Sequence, residues 1–366
     1  MPLHVHLTIR CKMQNTPAMN TQSDPVTMND FARTGRRHFL RQAVVLAGAI
    51  LLSGALAVLS ASAAEPKPAG KSIPVIFDTD IGDDIDDTWA LGLLLKCPEL
   101  DLKLVVGDYG KAPYRAKLLA KFLQTAGRTD VPVGVGLDIN PRGEAGQAEW
   151  VKDYDLKSYP GKVHADGVQA LIDTILRSPE PITLICIGPL PNIAAALERE
   201  PRIAQRARFV GMHGSVRLGY SGNKTVAAEW NVKADPKACQ KVFTAPWDMT
   251  ITPLDTCGLV TLDGERYARV RDSRDPIASA IIQNYRFWSK KSETAERRSS
   301  VLFDCVAVYL ATSQDLCRME RLGLRVTDDG FTRIDDKAKV VTAATEWKSL
   351  DGFRDFLVNR LTGTAR

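Results

Sequence analysis

Six aspartates lie within ten residues, from Asp78 to Asp87, directly after the first apolar segment that follows the N-terminal region. Carboxylates crowded at a turn repel one another, and this is costly unless a cation lies among them. Oxygen ligands without histidine favour a hard cation, Ca²⁺ or Mg²⁺. The alternative is an acidic, solvated helix cap, because a helix N-terminus also favours anions. We take the metal site as the prediction.

The elements that position these aspartates follow from the apolar pattern. Runs of strand length alternate with amphipathic runs of helical length. We expect strands at 73–79, 102–107, 131–135, 182–187 and 208–212, and helices at 88–96, 113–125, 167–177 and 192–200. This alternation predicts an α/β fold, with an open, mostly parallel, Rossmann-like sheet and helices on both faces. Ligands bind beyond the carboxyl ends of such strands, which is where the aspartates stand.

Further short motifs follow the aspartates in a fixed order. They are His-Ala-Asp-Gly at 164–167, Thr-Leu-Ile-Cys-Ile-Gly-Pro-Leu-Pro-Asn at 183–192, Val-Gly-Met-His-Gly at 210–214, Gly-Asn at 222–223, Glu-Trp-Asn at 229–231, Asp-Pro at 235–236 and Phe-Asp at 303–304. With Asp-Thr-Asp-Ile-Gly at 78–82 and the later Asp-Asp pair, the ordered set resembles the inosine-uridine-preferring nucleoside hydrolase family of calcium-dependent N-ribohydrolases. The resemblance spans about residues 73–312 and indicates a divergent, exported bacterial member.

The resemblance implies an N-glycosyl hydrolase that converts a nucleoside or related N-riboside to free base and ribose. It implies a Ca²⁺ ion bound by Asp80, Asp87, Asp304 and the backbone carbonyl of Ile187. Asp80 would act as the general base, taking a proton from a calcium-bound water. This chain has two residues more between Gly82 and the Asp-Asp pair than the simplest family motif has. We align the pair with residues 86–87, and the pair at 83–84 is the competing alignment.

The same resemblance implies a set of residues that bind the ribose. They are Asp86, Asp108, Met212, Asn223, Glu229 and Asn231. Met212 would pack beside the sugar, and the polar side chains would hold the hydroxyls. Asp108 departs from the family, because many members have Asn at this position, and the added carboxylate alters the charge near the sugar.

Phe303 is the more serious departure from the family pattern. Nonspecific members carry a histidine there that protonates the departing base, and phenylalanine has no proton to donate. Stacking of the base on Tyr285, Trp288 or Trp89 is one substitute. Outside the N-terminal 64 residues the only imidazoles are His164 and His213. His213 follows Met212 and is a candidate proton donor, but we favour a structural role for it beside Gly214.

Two other functions remain open on the sequence. An apolar strand ending in Asp-x-Asp also begins the Mg²⁺-dependent phosphatases of the haloacid dehalogenase type, which have Thr or Val where this chain has Gly82. A non-catalytic periplasmic riboside-binding protein would explain the missing histidine. A plain sugar binder, however, has little need of a buried metal.

The N-terminal region has the order of a twin-arginine export signal. Arg36-Arg37 precedes an uncharged run at 42–64 that ends in small residues, and the residues before Met28 read as an over-long start. We therefore expect a signal at 1–64, a linker at 65–72, one catalytic domain at 73–366, and a periplasmic or secreted enzyme. An uncleaved anchor at 42–64 is the alternative, and would be the only contact with a membrane.

The net charge outside the signal limits the kinds of binding partner that we expect. The whole chain carries a net charge of +5, of which the signal contributes +4, so the rest is too balanced for a nucleic-acid-binding surface. A small-molecule riboside is the expected partner, and a homo-oligomer remains open. Six cysteines outside the signal have no Cys-x-x-Cys spacing, which leaves disulfides undecided.

Overall fold

The computed structural model describes residues 72–139 and 145–363. The strands of the sheet are β1 Ile73–Thr79, β2 Leu100–Gly107, β3 Val133–Gly134, β4 Val163–His164, β5 Ile182–Cys186, β6 Ala207–Met212, β7 Met249–Thr252, β8 Cys317–Val326, β9 Thr332–Ile334 and β10 Val340–Trp347. The helices are α1 Asp86–Leu95, α2 Ala112–Thr125, α3 Ala148–Val151, α4 Gly167–Arg177, α5 Pro191–Arg199, α6 Trp230–Ala234, α7 Pro236–Thr244, α8 Leu254–Cys257, α9 Gly264–Arg271, α10 Pro276–Trp288, α11 Cys305–Thr312 and α12 Leu350–Leu361.

The strands form one sheet in the order β4-β3-β2-β1-β5-β6-β7-β10-β8-β9. Pairing is parallel from β4 to β10, and β8 and β9 add an antiparallel edge. The predicted fold class is confirmed. Because β1 pairs with β2 on one side and β5 on the other, the strand order reverses at β1. A crevice opens at such a point, beyond the carboxyl end of the strand.

Two apolar layers cover the sheet, one on each face. Along β1, Val75 and Phe77 pack into the layer that contains α1, α10 and α11, whereas Ile76 packs into the layer that contains α4, α5 and α7. This is the alternation expected of a strand that is buried on both faces. The central strand is thereby fixed in register, and its last residues are held at one edge of the sheet.

The predicted signal at 1–64 lies outside the described residues, as does the linker except for Ser72. Within 72–139 and 145–363, no helix combines the length and the apolar character that crossing a membrane requires. All six cysteines of this part are buried free thiols.

Candidate active site

Three aspartates from distant parts of the chain meet beyond the end of β1. Carboxylate oxygens of Asp86, Asp87 and Asp304 lie within 4.8 Å of one another, and all three side chains are buried. Asp86 and Asp87 form the first turn of α1, and Asp304 caps α11. The Thr79 hydroxyl donates a hydrogen bond to Asp87, and the backbone N–H of Asp304 donates one to Asp86 over 3.4 Å. The N-termini of two helices thus bring these carboxylates together.

The electrostatics of this cluster call for a cation. Burial, followed by repulsion from neighbouring carboxylates, raises the pKa of Asp86, Asp87 and Asp304 well above the usual value. Burial also raises the pKa of Asp80 to about 7, while the nearby Arg115 acts in the opposite direction. Buried carboxylates that repel one another, with oxygen as the only ligand atom, form a donor set that fits a hard cation.

A cavity of about 230 Å³ opens onto the cluster. Three aromatic residues, Tyr220, Trp230 and Phe303, line it together with the carboxylates. The rings of Tyr220 and Phe303 meet edge to face, with their centroids 6.1 Å apart. The Tyr220 hydroxyl accepts a hydrogen bond from the backbone N–H of Trp230 at 2.8 Å. Tyr220 and Trp230 are exposed, whereas the clustered carboxylates are buried. The cavity therefore combines buried negative charge with an exposed aromatic part.

Glu229 and Asn231 join this cavity to the ends of β5 and β6. The Glu229 carboxylate accepts hydrogen bonds from the N–H groups of Asn231 at 2.7 Å and Gly214 at 2.9 Å. The Asn231 side chain donates to the carbonyls of Ile187 at 2.9 Å and Met212 at 3.0 Å. All of these except Gly214 line the cavity. Four of the residues that sequence analysis placed in the site are thereby fixed around one space.

Comparison with known proteins decides the family. The family model described as "Inosine-uridine preferring nucleoside hydrolase" matches residues 75–351. The pyrimidine-specific ribonucleoside hydrolase RihA of Citrobacter koseri is 30% identical over 270 residues, which cover 68% of this chain and 83% of that protein. This chain belongs to the inosine-uridine preferring nucleoside hydrolase family. It is an N-ribohydrolase, so the phosphatase and the non-catalytic binding protein are not supported.

Solved structures agree with this assignment. A plant nucleoside hydrolase has a TM-score of 0.66 and 25% identity, covering 79% of this chain and 99% of its own. The purine-preferring ribonucleoside hydrolase of Gardnerella vaginalis has a TM-score of 0.65 at 22% identity, covering 79% and 98%, and shares the fold.

Two predicted ribose-binding residues of this nucleoside hydrolase do not line the cavity. Asn223 is exposed, and its side-chain oxygen accepts a hydrogen bond from the Thr225 N–H at 2.9 Å, which forms a local turn. Asp108 is fully buried and accepts hydrogen bonds from the N–H groups of Leu190 at 2.9 Å and Asn192 at 3.4 Å, at the start of α5. In this structure both side chains serve the protein backbone instead of the cavity.

The substitutes considered for the missing histidine also lie elsewhere. Trp89 is buried in the core beside Tyr285, and Trp288 donates its ring N–H to the Asp83 carbonyl at 2.9 Å. The rings of His164 and His213 do not line the cavity either. The aromatic side chains that do line it are Tyr220 and Trp230, which the sequence analysis did not select, and Phe303.

His213 belongs to the opposite face of the sheet. Its Nε2 lies 2.9 Å from the Gly188 carbonyl, and its ring packs against Phe209 and Phe243. Burial lowers the pKa of His213 to about 4. A neutral ring that donates from Nε2 to the carbonyl satisfies this contact, which makes His213 a structural residue.

This burial predicts how stability depends on pH. Between pH 6.5 and 4 the unfolded chain binds a proton at His213 that the folded chain does not, so this residue lowers the free energy of unfolding as pH falls through that window. The contribution is about 3 kcal/mol at most. We expect His213→Gln to lose less stability than wild type between pH 7 and 5 in urea unfolding.

His164→Gln is the matched control, because His164 is only partly buried in β4. This variant should follow the wild-type pH dependence more closely than His213→Gln does. Identical pH dependence in His213→Gln and wild type would contradict the buried neutral imidazole.

Arg115 is a site residue that sequence analysis missed. Only 1% of it is exposed, and it lies on α2 beneath the turn between β1 and α1. The signal was an arginine on the apolar face of the predicted helix at 113–125. Its N–H groups donate to the carbonyls of Asp80, Ile81, Tyr109 and Gly110 and to the carboxylate of Asp83. Arg115 therefore ties the loop that carries Asp80 to the loop that follows β2.

Loss of the Arg115 guanidinium should strongly reduce the stability of the fold. Arg115→Met leaves buried carbonyls and the Asp83 carboxylate without their donor, and we expect a loss of about 3–5 kcal/mol in the free energy of unfolding. Arg217→Met removes a bidentate ion pair with Glu320 on the surface, and should cost less than about 1 kcal/mol. Chemical denaturation of both variants tests this difference, and equal losses would contradict it.

Proposed function

We propose that this nucleoside hydrolase cleaves the N-ribosidic bond with a calcium ion held by Asp80, Asp87, Asp304 and the backbone carbonyl of Ile187. The observation that carries the proposal is the buried carboxylate cluster of Asp86, Asp87 and Asp304 beside a cavity of about 230 Å³. Asp80 and Ile187 line the same cavity. Several carboxylates offered by the protein itself favour Ca²⁺ over Mg²⁺, which usually keeps most of its waters.

Asp80 is proposed as the general base. A bound calcium ion would make the attacking water more acidic and offer a ligand position to ribose hydroxyls. Asp80 takes the proton of that water. In the metal-free protein burial raises the pKa of Asp80 to about 7, and a bound cation would favour the charged carboxylate that accepts the proton. Its backbone is held in place by Arg115 through the Asp80 carbonyl.

The other cavity residues are proposed to bind and stabilise the sugar. As the bond to the base lengthens, positive charge develops on the ribose ring. Buried carboxylates around the cavity stabilise that charge more strongly than water does, because they need no reorganisation. Asp86, Glu229 and Asn231 bind the hydroxyls, and Met212 packs against the sugar.

The substrate class and location follow from the same considerations. Acidic lining favours uncharged nucleosides over their phosphates, because a phosphate adds charge of the same sign. The RihA relative is described as pyrimidine-specific, which supports including pyrimidine nucleosides among the candidates. We propose that the enzyme acts in the periplasm or outside the cell, on the basis of the twin-arginine pattern at 36–64.

Ribose release tests the proposed function. The full chain is incubated with uridine, cytidine, inosine, adenosine and their 5′-monophosphates, with calcium and with a chelator, and reducing sugar is measured. We expect release from at least one nucleoside, little from the phosphates, and none after chelation. Release that persists in chelator would contradict the calcium proposal, and phosphate release without sugar would contradict the reaction.

A further inference from the structure

Among the residues that the structure describes, no imidazole lines this cavity to protonate the leaving base. When the bond between C1′ and the base nitrogen breaks, both electrons stay on the nitrogen, so an uncharged base leaves as an anion unless it receives a proton. Phe303 lines the cavity where a histidine was expected, and His213 is turned to the other face of the sheet. Tyr220 has the one hydroxyl among the described lining residues, and this hydroxyl lies in the exposed part of the cavity, where it accepts a hydrogen bond from the backbone N–H of Trp230.

The charge of the cavity points to a cationic ligand. Seven acidic residues line it, and no Lys, Arg or His does so within the described part of the chain. They are Asp80, Asp83, Asp84, Asp86, Asp87, Glu229 and Asp304. A divalent metal offsets two of these charges, and Arg115 pairs with Asp83 from beneath the turn. The lining therefore keeps a net negative charge even when the metal and Arg115 are both counted.

The part of the cavity away from the buried cluster is aromatic. Tyr220 and Trp230 are exposed, and Phe303 contacts Tyr220 edge to face. Faces of aromatic rings attract cations, and more strongly where water is excluded. Asp84, which is also exposed, lines the same cavity and adds negative charge. A flat, positively charged ring suits this combination better than an uncharged one.

Resting on the proposed function, we infer that the preferred substrate is an N-riboside whose base carries a positive charge, such as a pyridinium riboside. The C1′–N bond breaks, its electron pair neutralises the ring nitrogen, and the base leaves uncharged without a proton. Water adds to C1′, and its proton passes to Asp80 and then to solvent. The products are ribose, the neutral base and one proton. The absence of a histidine donor is then compatible with efficient turnover.

The test compares cationic and uncharged probes on the full calcium-loaded chain. Nicotinamide riboside should exceed uridine and inosine in kcat/KM by about 100-fold or more, the effect of a missing general acid. A pyridinium also leaves more readily without enzyme, so charge preference is measured separately by inhibition. The cation 1-methylnicotinamide should inhibit at a concentration at least tenfold lower than uncharged nicotinamide, and added salt should reduce this difference.

Asp84→Asn tests the source of the preference. It should lower the ratio of kcat/KM for nicotinamide riboside to that for uridine by roughly threefold. Asp153→Asn, on the surface outside the cavity lining, should leave the ratio unchanged. Hydrolysis of uridine or inosine as fast as the cation, with equal inhibition by both probes, would overturn the inference and leave the proposed function intact. Hydrolysis of no riboside at all would overturn both.

Discussion

Asp80→Asn is expected to lower kcat for riboside hydrolysis by about 10²–10⁴-fold, the usual contribution of a general base. The amide cannot take the proton of the attacking water, and it also weakens the proposed calcium site. Because burial raises the pKa of the Asp80 carboxyl to about 7, replacing the carboxylate by an amide removes the cost of burying its charge, so the folded state should persist. Steady-state ribose release and calcium titration of the same samples measure both effects.

Asp101→Asn is the control for Asp80. Asp101 lies near the opposite end of its strand, pairs with Lys103 on the surface and lies outside the cavity. Its removal should leave kcat unchanged. If Asp80→Asn keeps wild-type turnover at saturating calcium, Asp80 is neither the base nor an essential ligand.

Asp304→Asn is expected to be at least as stable as wild type without calcium and less stable than wild type with calcium. Burial and the neighbouring Asp86 and Asp87 raise the pKa of Asp304 in the folded state, so its charge destabilises the metal-free fold at pH 8. Without calcium the variant should therefore be at least as stable as wild type. With calcium at 100 times its Kd, wild type gains about 2.7 kcal/mol, which the variant largely loses.

Asp255→Asn is the matched control for this reversal. Asp255 is equally buried, but it accepts hydrogen bonds from the N–H groups of Val216 at 2.9 Å and Arg217 at 2.8 Å and lies outside the cavity. Asp255→Asn should lower the free energy of unfolding equally in chelator and in calcium. The rise in stability on adding calcium should therefore equal that of wild type. Urea unfolding of wild type and both variants in the two conditions makes the comparison. An undiminished calcium increment in Asp304→Asn would exclude Asp304 as a ligand.

Local sequence patterns were sufficient for much of the fold. The predicted strand at 73–79 and helix at 167–177 match β1 and α4, because apolar period and flanking polar residues mark both boundaries. The strand expected at 131–135 is shorter, and β3 spans Val133–Gly134. The antiparallel edge formed by β8 and β9 was not predicted, since charged residues such as Arg318, Glu320 and Arg321 interrupt the apolar pattern of β8.

The carboxylate cluster was accessible from the sequence because its residues follow strand ends or begin helices. The structure also bears on the competing alignments, since Asp86 and Asp87, not Asp83 and Asp84, lie against Asp304. Asp86 was expected to bind ribose, yet it is within ligand distance of the same cluster. The spacing of the aspartates along the chain does not specify which of their carboxylates faces a metal.

The remaining site residues depended on tertiary contacts. Arg115 stands on the apolar face of its helix, but its role emerges only when its donors are placed against two loops. Tyr220 lies in the connection after β6, and Trp230 begins α6 directly after Glu229. The backbone N–H of Trp230 donates a hydrogen bond to the Tyr220 hydroxyl, which brings the two together. Asn223 matches the family motif in sequence, but its side chain closes a local turn. Tertiary contacts of this kind leave no periodic pattern in the amino-acid sequence.

A titration of the chelated protein with calcium tests the central claim most directly. Bound calcium is counted per chain while ribose release is followed in the same samples. We predict that activity rises in proportion to bound calcium and stops rising at one tightly bound ion, and that Asp304→Asn weakens binding and turnover together. Full turnover in the chelated protein, or calcium that binds without changing turnover, would contradict a calcium-dependent hydrolysis at this site.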